Sequence, residues 1–298
     1  MPDSKEIIAA FMSLQDRICT RLEDIDGKQK FLEDNWDRTE GGGGRTRIIE
    51  NGLIIEKGGV NFSHVHGEVT DLMKMNTEIT ADEFLATGVS IVLHANSPHI
   101  PIIHMNVRYF ELSDGKYWFG GGIDLTPHYV VMQQAKEFHR HLKSVCDKYD
   151  ETFYSDFKKW ADEYFFIPHR GETRGVGGIF FDHLKEGKNL TKANILSLCL
   201  DLGGVFPELY EYQVSCGKDL IIEKEHIDWM LNRRGRYVEF NLVNDRGTKF
   251  GLVSGGRTES ILMSLPPRAN WSYQRKEKQD SKEQFTISML RKNVDWLS

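Results

Sequence analysis

The sequence predicts an α+β fold, a large antiparallel sheet flanked by helices on both faces. Three observations carry this. Strand-like runs come in hairpin-like pairs, helical runs come in blocks, and the regular strand–helix–strand alternation of a parallel sheet is missing. At 298 residues the chain has the length of one large domain or two ordinary ones. No internal repeat, Pro/Ser-rich linker or low-complexity run beyond Gly41–Gly44 marks a boundary, so one domain over residues 1–298 is expected.

Each element has its own signal. Ile7, Phe11, Leu14, Ile18, Leu22 and Ile25 recur at helical spacing, and Gly27 stands where a cap would end that helix. Arg45–Glu50 and Leu53–Lys57 flank Asn51-Gly52, the strongest short hairpin signal. Val60–Val69 alternates, with Val60, Phe62, His64 and His66 on one face. Gly88–Asn96 and Ile102–Leu112 read as strands joined at Ser97-Pro98, and Tyr117–Leu125 as another. Thr126-Pro127 reads as a helix start, with the helix running to about Tyr149. A second helix carries Phe153, Phe157, Trp160 and Tyr164 and ends by Pro168, and Val176–Asp182 reads as a strand. Residues 191–212 and 219–232 read as helices. Arg236–Val243 alternates like a strand and turns at Asn244–Gly247 into Lys249–Val253. A short helix opens at Thr258 and stops at Pro266-Pro267, and a last helix closes the chain.

Composition removes several function classes. Hydrophobic residues make up 40 % and charged residues 28 %, an ordinary globular balance that excludes disorder and fibrous architectures. Net charge is 38 − 44 = −6, so no global field attracts nucleic acid or anionic lipid, and neither is expected as a partner. Cys19, Cys146, Cys199 and Cys216 lie far apart without C-x-x-C, which suits buried thiols in a reducing compartment. No secretory or transit segment is visible. The longest stretch without Asp, Glu, Lys or Arg, Phe84–Val107, is broken by His94, His99, His104, Pro98 and Pro101. Two buried strands and a turn explain it better than a membrane span.

Polar residues on an otherwise apolar strand are the first sign of chemistry. Period two puts His104, Asn106 and Arg108 on one face of Ile102–Leu112, opposite Ile103, Met105, Val107 and Tyr109. Ser90, Val92 and His94 share a face of the preceding strand. Ser90, His94, His104, Asn106 and Arg108 therefore line one wall, or else a solvated sheet face. Arginine use is the second sign: Arg45 and Arg47 follow the glycine run, Arg170 and Arg174 flank Gly171, and Arg246 and Arg257 follow tight turns. Guanidinium groups fixed at glycine-rich turns of an acidic protein suggest a polycarboxylate ligand, or else ordinary ion pairs. His94, His104, His139 and His169 offer an alternative metal set, but no histidines show metal-binding spacing. Gly41–Gly44 and Gly120–Gly122 lack phosphate-loop spacing, and no G-x-S-x-G is present.

The chain resembles the oxygen-dependent coproporphyrinogen III oxidase family at Asn35–Arg38, Glu56–Ser63, Asn106–Phe110, Trp118–Pro127, Asp162–Phe166 with His169-Arg170, Arg174–Gly178, Asn244–Thr248 and Gly255–Leu262. These motifs run in one order from about residue 31 to residue 273. The resemblance implies oxidative decarboxylation of the ring A and B propionates of coproporphyrinogen III to vinyl groups. Molecular oxygen is consumed and protoporphyrinogen IX is formed, in haem biosynthesis. It implies Ser90, Asn106, Val107, Arg108, Gly255, Gly256 and Arg257 as substrate-binding, and His104, Asp245 and Arg246 as catalytic. It also implies a homodimer and no required cofactor, with a divalent metal on His94, His104, His139 and His169 as the alternative. The absence of a presequence makes a cytoplasmic enzyme the expectation.

Overall fold

The computed structural model describes residues 1–70, 80–187, 189–253 and 256–298. Helix α1 (Ser4–Asp26) is opened by an Asp3/Glu6 capping box and closed by Gly27 at φ 71°, a left-handed position that glycine adopts without a Cβ penalty. Strands β1 (Leu32–Asp37), β2 (Gly42–Glu50), β3 (Ile55–Glu68), β4 (Glu83–Ala95), β5 (Ile102–Leu112) and β6 (Tyr117–Thr126) follow as a meander. Helices α2 (Met132–Cys146) and α3 (Phe153–Tyr164) come next, then short strands β7 (Phe166–Ile167) and β8 (Glu172–Thr173) and strand β9 (Gly178–Leu184). The rest is helical: α4 (Lys192–Gly217), α5 (Lys224–Glu239), a π-helical turn (Phe240–Asn244), α6 (Arg246–Val253), α7 (Thr258–Leu262) and α8 (Lys282–Met289). Among the described residues no helix is long and apolar enough to cross a membrane.

Seven strands form one antiparallel sheet in the order β1-β2-β3-β4-β5-β6-β9. Its two faces differ in chemistry. Val89, Ile91 and Leu93 of β4, Ile103, Met105 and Val107 of β5, and Phe119 and Ile123 of β6 point into the main core with α1, α2 and α4. That core draws on residues from Ile7 to Trp296. The opposite face carries the polar residues and is covered from the C-terminal half: Tyr237 packs on Val92 and Ile102, and Met263 sits over Gly59. Helices thus lie on both faces, as expected. Helix α3 covers the β9 edge, Phe157 stacking on Phe181 at 4.9 Å and Tyr164 on Phe180 at 4.1 Å.

Three expectations are corrected, and one strand is added. Residues 236–253 are not strands: Tyr237, Phe240 and Asn241 are buried at helical spacing, and α5 runs through the π-helical turn to a break at the extended Asp245, after which α6 begins. Alternation misleads there because Asn241 is buried while Leu242 and Val243 are exposed, so polarity and burial are out of step. Helix α2 begins at Met132; Thr126 belongs to β6 and its hydroxyl caps nothing. Leu53–Lys57 and Val60–Val69 are mostly one strand, β3. Strand β1, sequence LEDNWD, has no apolar alternation and is a strand because its backbone pairs with β2 at the sheet edge.

Candidate active site

The polar face is built by register. Ser90 of β4 lies opposite Asn106 of β5, which lies opposite Gly122 of β6. The neighbouring rows are Gly88–Arg108–Gly120 and Val92–His104–Asp124. Asn61 of β3 extends the Ser90 row. Glycine and serine at Gly88, Ser90 and Gly122 keep this floor low between the longer side chains of His104 and Arg108. A flat ligand can lie on such a surface.

His104 is held from below. Its Nδ1 lies 2.8 Å from Asp124 Oδ1, and Asp124 is 1 % exposed. Burial acts to raise the Asp124 pKa, but the Arg174 charge and the His104 and Arg174 hydrogen bonds outweigh it and keep the carboxyl below its usual value. An ionised Asp124 only accepts, so Nδ1 of His104 carries the proton and Nε2 is left to accept or release one. Arg174 Nη2 donates to Asp124 Oδ1 at 2.6 Å, and Nη1 donates to Asn241 Oδ1 at 3.0 Å. The guanidinium is stacked within 4.5–4.7 Å of Phe165, Tyr237 and Phe240. Arg174, expected among ligand-binding arginines, is instead a buried counter-charge.

A second group stands beside Arg108. Its guanidinium lies over Phe180 at 5.9 Å, Phe180 stacks on Tyr164, and the Tyr164 hydroxyl donates to Asp245 Oδ1 at 2.6 Å. Asp245 Oδ2 accepts from Thr248 N at 2.9 Å and Thr248 Oγ1 at 2.6 Å, so Asp245 also caps α6. Burial acts to raise the Asp245 pKa, and the Thr248 and Tyr164 hydrogen bonds with the Arg174 charge reverse it, leaving the group below the ordinary carboxylate value. Arg246 is exposed, 5.2 Å over the Tyr164 ring, and makes no ion pair among the described residues.

On the other side, Asn61 Nδ2 donates to the Ser260 carbonyl at 2.6 Å, and Ser260 Oγ lies 3.4 Å from Arg257 Nη1. Ser90, Arg108, Asp245 and Arg257 are therefore connected through neighbours on one face. Val107 of the expected binding set turns its side chain into the core, 1 % exposed. Gly256 lies between α6 and α7, its amide on the Gly251 carbonyl at 2.8 Å. Gly255 lies outside the described residues.

The alternative metal set is not assembled. His139 is on the core side, its ring nitrogens each 3.0 Å from the Tyr154 hydroxyl and the Val176 carbonyl. His94 is buried with Nε2 on the Ser264 carbonyl at 2.9 Å, and His169 is at the surface on Glu239. Among the described residues no group of three or more His, Cys, Asp or Glu side chains is placed to hold an ion. The residues thus do not fit a four-histidine metal, and no step is derived through one. The arginine expectation also narrows: Arg45 and Arg47 bind Asp16 and Glu33, and Arg170 binds Glu239. A separate cavity of about 680 Å³ near His99, Tyr129, Ile221 and Phe285 contains none of the expected site residues.

Sequence reasoning singled out neither Asp124, Tyr164 nor Asp182, which pairs with Arg108 at 2.9 Å. The signal for Asp124 was present: an acid between Ile123 and Leu125 in a buried strand needs a partner.

The family model described as coproporphyrinogen III oxidase matches residues 6–296. The oxygen-dependent coproporphyrinogen-III oxidase of Prochlorococcus marinus (strain NATL2A) is 45 % identical, over 96 % of this chain and 89 % of the relative. That of strain MIT 9312 is 45 % identical over 96 % and 91 %, and that of Parasynechococcus marenigrum (strain WH8102) 44 % identical over 97 % and 86 %.

Proposed function

The chain belongs to the coproporphyrinogen III oxidase family, and from that premise we propose how its polar sheet face carries out the reaction. The enzyme oxidatively decarboxylates the ring A and B propionates of coproporphyrinogen III to vinyl groups, forming protoporphyrinogen IX with oxygen as co-substrate. For each group the balance is R–CH2–CH2–COO⁻ + O2 + H⁺ → R–CH=CH2 + CO2 + H2O2. Two electrons pass to dioxygen, the C–COO⁻ pair becomes the new double bond, and one hydrogen leaves the adjacent carbon.

The observations supporting this placement are Arg108 and Arg246 beside the Tyr164–Asp245 pair, and Arg257 linked through Ser260 to Asn61 in the row of small floor residues. The macrocycle lies on Ser90, Asn106 and Gly122, with carboxylates toward the three arginines. Val107, Gly255 and Gly256 complete the expected binding segments, although the Val107 side chain turns into the core. Asp245 accepts three hydrogen bonds and keeps capacity for a pyrrole N–H. Polarising that N–H makes the pyrrole richer in electrons and more reactive toward oxygen. Arg246 anchors a neighbouring carboxylate. His104, its Nδ1 fixed by Asp124, supplies or takes a proton at Nε2.

One domain over residues 1–298, a homodimer, a cytoplasmic location and independence of metal complete the proposal. Support for the single domain comes from a main core that reaches from Ile7 to Trp296. The deciding experiment incubates the protein with coproporphyrinogen III anaerobically in chelator, then admits air. Protoporphyrinogen and CO2 are expected. Binding without either product leaves a tetrapyrrole carrier; activity lost in chelator and restored by a metal removes the metal-free reading.

A further inference from the structure

Arg108 does not stand free on the polar face. Its Nη2 lies 2.9 Å from Asp182 Oδ2, and its Nη1 donates to Asn106 Oδ1 at 2.9 Å. Asp182 is held in turn, its Oδ1 accepting the His183 backbone N–H at 2.9 Å.

Several local irregularities converge on this pair. The β6–β9 register shifts between Phe119↔Leu184 and Gly121↔Phe181, so Asp182 and His183 together face the single residue Gly120. Such a bulge re-aims side chains. His183 takes a left-handed φ of 49° that non-glycine residues rarely adopt. A Cβ on Gly120 would lie 2.7 Å from both Arg108 Nε and Asp182 Oδ1. The pair it builds is 34 % and 23 % exposed, and such partly exposed pairs add little to stability. Stability alone is a poor reason for a bulge and a left-handed histidine. Arg257 repeats the arrangement, paired with Asp34 of β1.

We propose that Asp182 is a specificity-determining residue, a resident carboxylate that shares Arg108 with a substrate propionate and limits how strongly the arginine grips it. The inference rests on the placement of substrate given above. Its chemical reason lies in the reaction. A reacting propionate leaves as CO2, so its negative charge drains away as the C–COO⁻ bond breaks. An undivided ion pair stabilises the starting carboxylate more than the transition state, tightening binding while slowing the chemistry. Asp182 weakens that ground-state grip. It also remains with Arg108 once a carboxylate has become a vinyl group, so product departure leaves no unpaired guanidinium.

The test is steady-state turnover of Asp182→Asn, with binding of the stable porphyrins measured by fluorescence. KM should fall about two- to five-fold and kcat should fall with it. Coproporphyrin, with four carboxylates, should tighten more than protoporphyrin, with two. KM unchanged or raised in a folded variant overturns the inference. If Asp182→Asn does not fold, Asp182→Ser is read by the same criteria. Arg108→Gln separates the two levels. If it leaves KM and kcat unchanged, the substrate placement itself fails. If it weakens binding while Asp182→Asn fails to tighten it, only the role of Asp182 is lost.

Discussion

Asp245 has two jobs, and they can be separated by substitution. It caps α6 through Thr248, and in the proposed placement it meets the ring beside Tyr164 and Arg246. Asparagine caps helices about as well as aspartate, so Asp245→Asn should keep the melting temperature within a few degrees of wild type. It cannot accept a proton, so kcat should drop by about 10²-fold or more while porphyrin binding persists. Asp245→Ala should abolish turnover too and cost about 1 kcal/mol from the lost cap. Full turnover in the asparagine variant would remove Asp245 from the chemistry. The sequence exposed Asp245 because it sits in a distinctive motif next to an arginine. It marked Asp124 only as a buried strand acid in need of a partner, because the strand register alone places that acid opposite His104. Arg174 was misread for a related reason: its neighbour Gly171 signals a turn, but the guanidinium reaches back to a strand fifty positions earlier.

Local patterns revealed elements where one face is apolar and failed where a helix buries polar groups. The alternating residues of β4 and β5 placed Ser90, Asn106 and Arg108 on one face, as the pairing has them. Residues 236–253 defeated the same pattern because Asn241 is buried while its apolar neighbours Leu242 and Val243 are exposed. The β2–β3 hairpin shows a further dependence that no local pattern carries. Asn51-Gly52 predicts the turn, but a distant acid holds it: Asp26 accepts the amides of Gln29, Leu53, Ile54 and Ile55 at 2.9–3.1 Å. A Cβ on Gly52 would meet Asp26 Oδ1 at 2.2 Å. Asp26→Ala leaves amides at the turn without an acceptor and should destabilise the protein by about 2–4 kcal/mol, read as a lower urea midpoint. A midpoint unchanged from wild type would show that water replaces the carboxylate without penalty.

The whole molecule carries an acid sensitivity that neither the site nor one element produces alone. Burial holds His128 and His139 down to a pKa of about 3 and drives His94 well below its usual value. They lie in different layers: His139 in α2 on the core side, and His94 on β4 beneath α5. Their pKa values are depressed on folding, so below about pH 6.5 the unfolded chain binds protons that the folded chain refuses. Stability is fully present above pH 6.5 and declines as pH falls toward 3. Each neutral buried histidine contributes about 1.4 kcal/mol per pH unit within that window. Carboxylates held low, such as Glu239 at about 2, add their own loss only below about pH 4.5. The decline between pH 6 and 5 therefore belongs to the histidines. Urea midpoints at pH 7.5, 6.0 and 5.0 should fall over both intervals, and more steeply per pH unit over the second. His139→Gln lowers the midpoint throughout, through its lost bonds to Tyr154 and Val176, but should remove about one proton from the slope. A wild-type midpoint flat from pH 7.5 to 5.0 would mean that these imidazoles take up protons inside the folded protein, and that the polar groups around them are arranged to receive the charge.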